Sequence, residues 1–253
     1  MEEAADYSAV IVIGQSLHTG YPRHSILQLH HAKLISGLGA LSLTALAQAR
    51  PKATATLQER TLYSSDIWCG PVLNASATEA SAQWTVPTVS LLPRESLDPK
   101  NPPMFYQWVG IDGDVWYEFY TPKNNASWHQ TEPAVGPGDN VSVTVTADKD
   151  GKGGTIYIQN LSNNTGKSYY AKVVEGQLCF QHVEWVTEAP TMNQPGFDNF
   201  TFNSISAKAR DGTTINATGS DLWYLNESSG KCSAPLSDDG TTAYLTNAAP
   251  RWS

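Results

Sequence analysis

Two glutamates four residues apart are the first candidates for chemistry. They lie in Leu178-Cys179-Phe180-Gln181-His182-Val183-Glu184-Trp185-Val186-Thr187-Glu188-Ala189-Pro190. The β-branched and aromatic residues of this stretch favour a strand, and Pro190 stops it. Successive side chains of a strand point to opposite faces. Val183, Trp185 and Thr187 therefore share one face, and Glu184, Val186 and Glu188 share the other. On pattern alone the acidic face lies in water, as on a half-exposed strand. The sharper reading is a carboxylate held in a cleft on the sheet, able to take a proton and give it back.

A strand can hold such a group in place only as part of a larger sheet. From about residue 63 the pattern predicts almost nothing but strands: Ile67–Asn74, Ala80–Val86, Met104–Ile111, Trp116–Tyr120, Asn140–Ala147, Thr155–Asn160, Ser168–Val174, Gln181–Thr187, Phe200–Ala207 and Leu222–Leu225. Turn chemistry separates them, as in Gly136-Pro137-Gly138-Asp139, Asn163-Asn164-Thr165-Gly166 and Asp211-Gly212. Short strands at regular spacing predict an all-β, two-sheet antiparallel sandwich. The four prolines of residues 91–103 mark a surface loop.

Composition narrows the partners. The chain has 253 residues, 40% of them hydrophobic and 10% aromatic, enough for one substantial core. Charged residues make up only 16%, and the formal charge is -8. No basic stripe points to nucleic acid. A surface with few ion pairs suits an acidic medium, because it loses little when carboxylates protonate. Eight Asn-x-Ser/Thr sequons occur among fourteen asparagines, at Asn74, Asn125, Asn140, Asn160, Asn163, Asn199, Asn216 and Asn226. Chance would give roughly three, so a secreted glycoprotein is expected. The three cysteines, Cys69, Cys179 and Cys232, match no metal spacing and allow one disulfide with one thiol left over.

The ends read differently from the middle. Residues 1–33 are expected to lie outside any domain, the apolar patch Val10-Ile11-Val12-Ile13 included. Residues 34–49 resemble a secretory signal, closing on the A-x-A pattern Ala47-Gln48-Ala49. The run is too short to span a bilayer. Its place inside the chain fits either a true start near residue 30 or a helix of the mature protein that mimics a signal. Residues 50–63 then form a short pro-region or linker, 64–232 the domain, and 233–253 a loosely held tail. The mature protein is expected to be extracellular and monomeric, with no membrane attachment.

Several motifs fall in one order: Trp68-Cys69-Gly70, Trp84-Thr85-Val86-Pro87, Trp108-Val109-Gly110-Ile111-Asp112-Gly113, Trp116-Tyr117-Glu118-Phe119-Tyr120, Gly138-Asp139, and Leu178-Cys179 leading to Val183-Glu184-Trp185-Val186. Over residues 64–207 this resembles the eqolisins, the fungal glutamic peptidases of scytalidoglutamic and aspergilloglutamic type. The resemblance implies two bent sheets of concanavalin or lectin-like jelly-roll form. It also implies a secreted acid endopeptidase acting on protein or peptide substrates, with no metal and no cofactor. A glutamate matching Glu184 is then the general base on the attacking water. A glutamine beside it orients the water and stabilises the oxyanion. Trp108 and Asp112 match the block lining the cleft, and Trp116, Glu118 and Tyr120 its wall.

The chain departs from the family where the glutamine belongs. In the family that residue follows the G-I-D-G block, in a segment that also carries a cysteine. Here Gly113-Asp114-Val115 runs straight into Trp116, and roughly twenty residues are absent, more than a trimmed turn. The missing cysteine accounts for the leftover thiol and marks Cys179 as the orphan. Gln107 is next to Trp108 and is expected on the opposite face. Three functional classes follow: a glutamic endopeptidase homologue whose active form needs the missing segment, an inactive lectin-like module that binds carbohydrate or peptide, or a structural secreted glycoprotein supported only by the sequons.

Overall fold

The computed structural model describes residues 8–16, 61–90, 104–112, 115–116, 132–172, 177–189, 194–225 and 230–248. Sixteen strands and no helix occur among them. They are β1 (Ser8–Ser16), β2 (Leu62–Ser65), β3 (Trp68–Asn74), β4 (Ala77–Thr85), β5 (Val89–Ser90), β6 (Met104–Ile111), β7 (Val115–Trp116) and β8 (Asn140–Ala147). The second half supplies β9 (Gly153–Asn160), β10 (Thr165–Lys172), β11 (His182–Glu188), β12 (Gly196–Phe197), β13 (Phe200–Ala209), β14 (Thr214–Ile215), β15 (Asp221–Leu225) and β16 (Ala243–Leu245).

Two large sheets form the sandwich. The first runs in the order β2-β15-β3-β11-β6-β1-β7. The second runs β10-β9-β8-β4-β13-β14, with β16 also on β13. Most neighbours are antiparallel; β15 with β2 and β1 with β7 are parallel. The core between the sheets is aromatic at its centre. Trp84 meets Phe202 edge-on with ring centroids 5.1 Å apart, and Phe105 stacks on Phe197 at 4.5 Å. Trp185 reaches across from β11, and its indole N–H donates to the Ser81 carbonyl of β4 at 2.9 Å. That bond satisfies the one polar atom of a ring otherwise buried in hydrocarbon.

Two observations bear on the ends of the chain. Ser8–Ser16, within the stretch expected to lie outside any domain, forms a strand. It pairs with all of β6, from Ala9 opposite Ile111 to Ser16 opposite Met104. Its β-branched run suits a strand, and β6 offers a full row of ladder groups that must be satisfied. Its partner lies about ninety residues away, beyond the reach of local pattern. Within the expected tail from Ser233, several residues pack against the sheets. Ala234, Leu236, Ala243 and Leu245 are buried, and β16 pairs with β13. The turn at Asp238-Asp239-Gly240 folds these apolar residues back onto the core, with Gly240 at φ +68°. The strand β2 also straddles the expected start at residue 64. The signal-like stretch 34–49 and most of the linker lie outside the described residues.

The disulfide is Cys69–Cys232, across 163 residues, with Cys179 exposed and outside it. It fastens β3 to the segment after β15, which Leu225 and Cys232 also bridge through the backbone.

Candidate active site

The strand β11 lies inside the first sheet, between β3 and β6. Its register fixes which residues surround each glutamate. Glu184 stands opposite Gly110 of β6 on one side and Val72 of β3 on the other. Backbone register extends the row to Val10 of β1, opposite Gly110, and to Asp221 of β15, opposite Val72. Directly paired residues share a face, so this row lies on the outer face of the sheet, away from the core.

Glycine at 110 makes the close approach possible. A methyl there would meet Trp108 Cζ3 at 2.7 Å and Glu184 Oε2 at 3.3 Å. The Trp108 ring and the Glu184 carboxylate thus converge over a bare stretch of backbone. Both are buried, Glu184 with 2% of its surface exposed and Trp108 with none. The plain pattern, with the acidic face in water, is therefore overturned.

Glu188 shares this face two rows further along, opposite Tyr106 on one side and Trp68 on the other. The Trp108 indole N–H donates to its Oε2 at 3.1 Å. Burial is the dominant influence and pushes its pKa up from 4.5 to about 7, against the stabilising pull of that N–H. The Trp68 ring pulls the same way more weakly, from outside hydrogen-bond geometry. Glu188 is consequently a neutral acid in acidic solution. Aromatic rings continue outward from it. Trp68 meets Trp108 edge-on at 5.5 Å and Trp223 at 5.8 Å, and Tyr63 stacks on Trp223 at 5.5 Å.

Asp112 ends β6 in the left-handed region, at φ +67°. Its carboxylate accepts backbone N–H groups from Phe180 and Gln181 and, at 3.0 Å, from His182. Its own N–H donates to the His182 carbonyl at 2.9 Å. Asp112 therefore clamps the entry to β11 and fixes where Glu184 begins its row. Gln107 lies on the core face, fully buried, opposite Thr187, with its amide donating to the Phe105 carbonyl at 3.4 Å. Trp116 closes β7, whose backbone aligns with Val10. Glu118 and Tyr120 lie outside the described residues. The structure thus brings Glu184, Trp108 and Asp112 together around β6 and β11. Sequence reasoning missed Gly110, Glu188's bond to Trp108 and the ring series through Trp68 and Trp223. The parity of Trp68 on a strand next to β11 was the available signal for the last.

Comparison with known proteins agrees with this architecture. The Peptidase A4 family matches in two pieces, residues 66–115 and 114–244. Aspergillopepsin-2 of Aspergillus niger is 26% identical over 163 residues, half of this chain and 56% of that protein. The chain thus spans about half the length of that curated relative. Among solved structures, scytalido-glutamic peptidase with a transition state analog inhibitor is similar at TM-score 0.53 and 16% identity. That match covers 72% of this chain and 98% of that one. SCP-B, a member of the eqolisin family in complex with the tripeptide Ala-Ile-His, is similar at TM-score 0.50 and 18% identity, with the same coverage. At these identities the structures speak for the fold. The two matched pieces together run through residues 66–244, and on that extent the chain belongs to the Peptidase A4 family.

Proposed function

We propose that this chain is a secreted acid endopeptidase of the glutamic type, built around Glu184 as general base and strongly impaired in turnover. The observation that carries the reading is the Glu184 carboxylate over Gly110 beside Trp108, on the outer face of the sheet. There a carboxylate can take a proton from water while the resulting hydroxide attacks a scissile carbonyl. The tetrahedral intermediate then collapses as the carbon–nitrogen bond breaks, and the same proton passes to the leaving amine. Trp108 borders the carboxylate, and the eqolisin resemblance assigns Trp108, Trp116, Glu118 and Tyr120 to the substrate wall. Asp112 acts on β11 through its backbone clamp rather than on substrate.

Impairment is the reading that the sequence around Asp114 favours. Among the residues in register with Glu184 whose side chains are described, namely Gly110, Val72 and Asp221, none is an amide, which is consistent with it. The reading of a lost glutamine rests on the sequence, where Gly113-Asp114-Val115 runs straight into Trp116. Losing one oxyanion donor typically costs a factor of about 100 to 1,000 in turnover.

The test is hydrolysis of denatured casein between pH 2 and 5 by the purified chain. Slow cleavage that disappears in Glu184→Gln is expected. Cleavage that persists in Glu184→Gln would end the reading. A second reading, a module that binds carbohydrate or peptide without cutting it, is favoured by the ring series Trp108, Trp68, Trp223 and Tyr63. Undiminished ligand binding by Glu184→Ala, with no cleavage by the parent chain, would select it.

A further inference from the structure

The sequons are not equivalent once folded. N-glycosylation replaces one Nδ2 hydrogen of asparagine by a bulky sugar, so the amide must keep one N–H bond directed into open solvent. Asn160 fails this requirement. It is fully buried at the end of β9, and its Nδ2 donates both to the Ala134 carbonyl and to Asp139 Oδ2, each at 3.0 Å. Its Oδ1 accepts the Ser162 N–H at 3.0 Å. A sugar there would expel the side chain and break the tie between β9 and the turn that precedes β8. Asn216 is also engaged, donating to the Asp239 carbonyl at 2.9 Å and accepting the Thr218 N–H at 3.0 Å.

Asn74 is the opposite case. It is exposed at the last position of β3, and Ser76 of its sequon is exposed as well. Its register partner is His182. Asn74 and His182 therefore form the row next to Val72 and Glu184, on the same outer face of the sheet. Two residues along a strand correspond to roughly 7 Å. A sugar attached at Asn74 stands at the border of the face that holds Glu184.

We propose that Asn74 is an N-glycan acceptor whose oligosaccharide borders the Glu184 face, whereas Asn160 must remain bare for the domain to fold. In the transfer, Asn74 Nδ2 attacks the anomeric carbon of a lipid-linked oligosaccharide pyrophosphate. The new bond is carbon to nitrogen, the carbon–oxygen bond to pyrophosphate breaks, and one Nδ2 proton is lost to solvent. The inference rests on the secretory reading above, since only that route supplies the donor.

The test separates the two. The full chain is secreted from yeast behind a host signal, so that its own leader plays no part, and its glycopeptides are mapped by mass spectrometry after enzymatic deglycosylation in heavy-oxygen water. Asn74 should be occupied and Asn160 bare. Carbethoxylation of half-buried His182 should run several-fold faster in Asn74→Gln than in the glycosylated parent. A bare Asn74, an occupied Asn160 in protein that melts cooperatively, or an unchanged His182 rate would each overturn the proposal. Export by the chain's own N-terminus is scored separately, so a failure there bears on secretion alone.

Discussion

The strands β8 and β11 carry similar patterns and meet opposite fates. Asn140–Ala147 alternates strictly: Val141, Val143, Val145 and Ala147 are buried, and the residues between them are exposed or half-exposed. His182–Glu188 alternates almost as cleanly in type, yet every residue after His182 is buried on both faces. On β8 the alternation describes a wall between core and water. On β11 the polar side has been taken out of water with its two carboxylates still on it. Burying an ionisable group is costly unless it is neutral or well partnered, so a strand that does it twice on one face is organised for something other than stability.

That contrast can be attacked from its strongest point downward. Trp185→Ala removes the ring that joins the two sheets and should cost about 3 to 5 kcal/mol in denaturant melts. Glu188 should make stability depend on pH. Its folded-state pKa of about 7 lies above the ordinary 4.5, so the folded protein holds this proton more tightly than the unfolded chain. The contribution is fully present below about pH 4.5 and is lost as pH rises towards 7. The interval is worth roughly 3 kcal/mol, and Glu188→Gln should flatten it. Equal slopes in the two proteins would show that this carboxyl is not desolvated.

Val186→Ala, on the outer face of β11, should cost about 2 kcal/mol because that face is buried. The matching change on the outer face of β8, Thr146→Ala, should stay within about 0.5 kcal/mol, since Thr146 is exposed. If both outer-face changes proved equally mild, the difference between the strands would be gone.

The strands legible in the sequence were those with sharp alternation between turn signals. Met104–Ile111 and Asn140–Ala147 match their predicted bounds residue for residue. Others shifted by one to three residues, as with Thr165–Lys172, expected from Ser168, because hairpin ladders continue into polar positions that carry no apolar signal. The strand Ser8–Ser16 was illegible for a different reason. A four-residue apolar patch has no period, and what makes it a strand is a distant edge in need of hydrogen bonds. In the tail, Gly, Asp and Ser around 237–242 conceal two buried leucines, Leu236 and Leu245. At the site, residue type and order pointed to Glu184, Trp108 and Asp112. Alternation could not say that the second face of β11 is covered, nor that Gly110 leaves room for a ring and a carboxylate. Both facts depend on neighbours brought in from other parts of the chain.

The seating of Ser8–Ser16 bears on how the protein can be matured or shortened. Clipping after Ala49, as the signal-like pattern invites, would withdraw a whole strand from between β6 and β7. Eight residues of β6, including the backbone beneath Glu184, would then present an open ladder of donors and acceptors. Such an exposed border captures any extended segment within reach, and in a concentrated solution the nearest one belongs to another molecule. Trimmed protein should therefore tend to self-associate through β6, the strand that pairs beside Glu184.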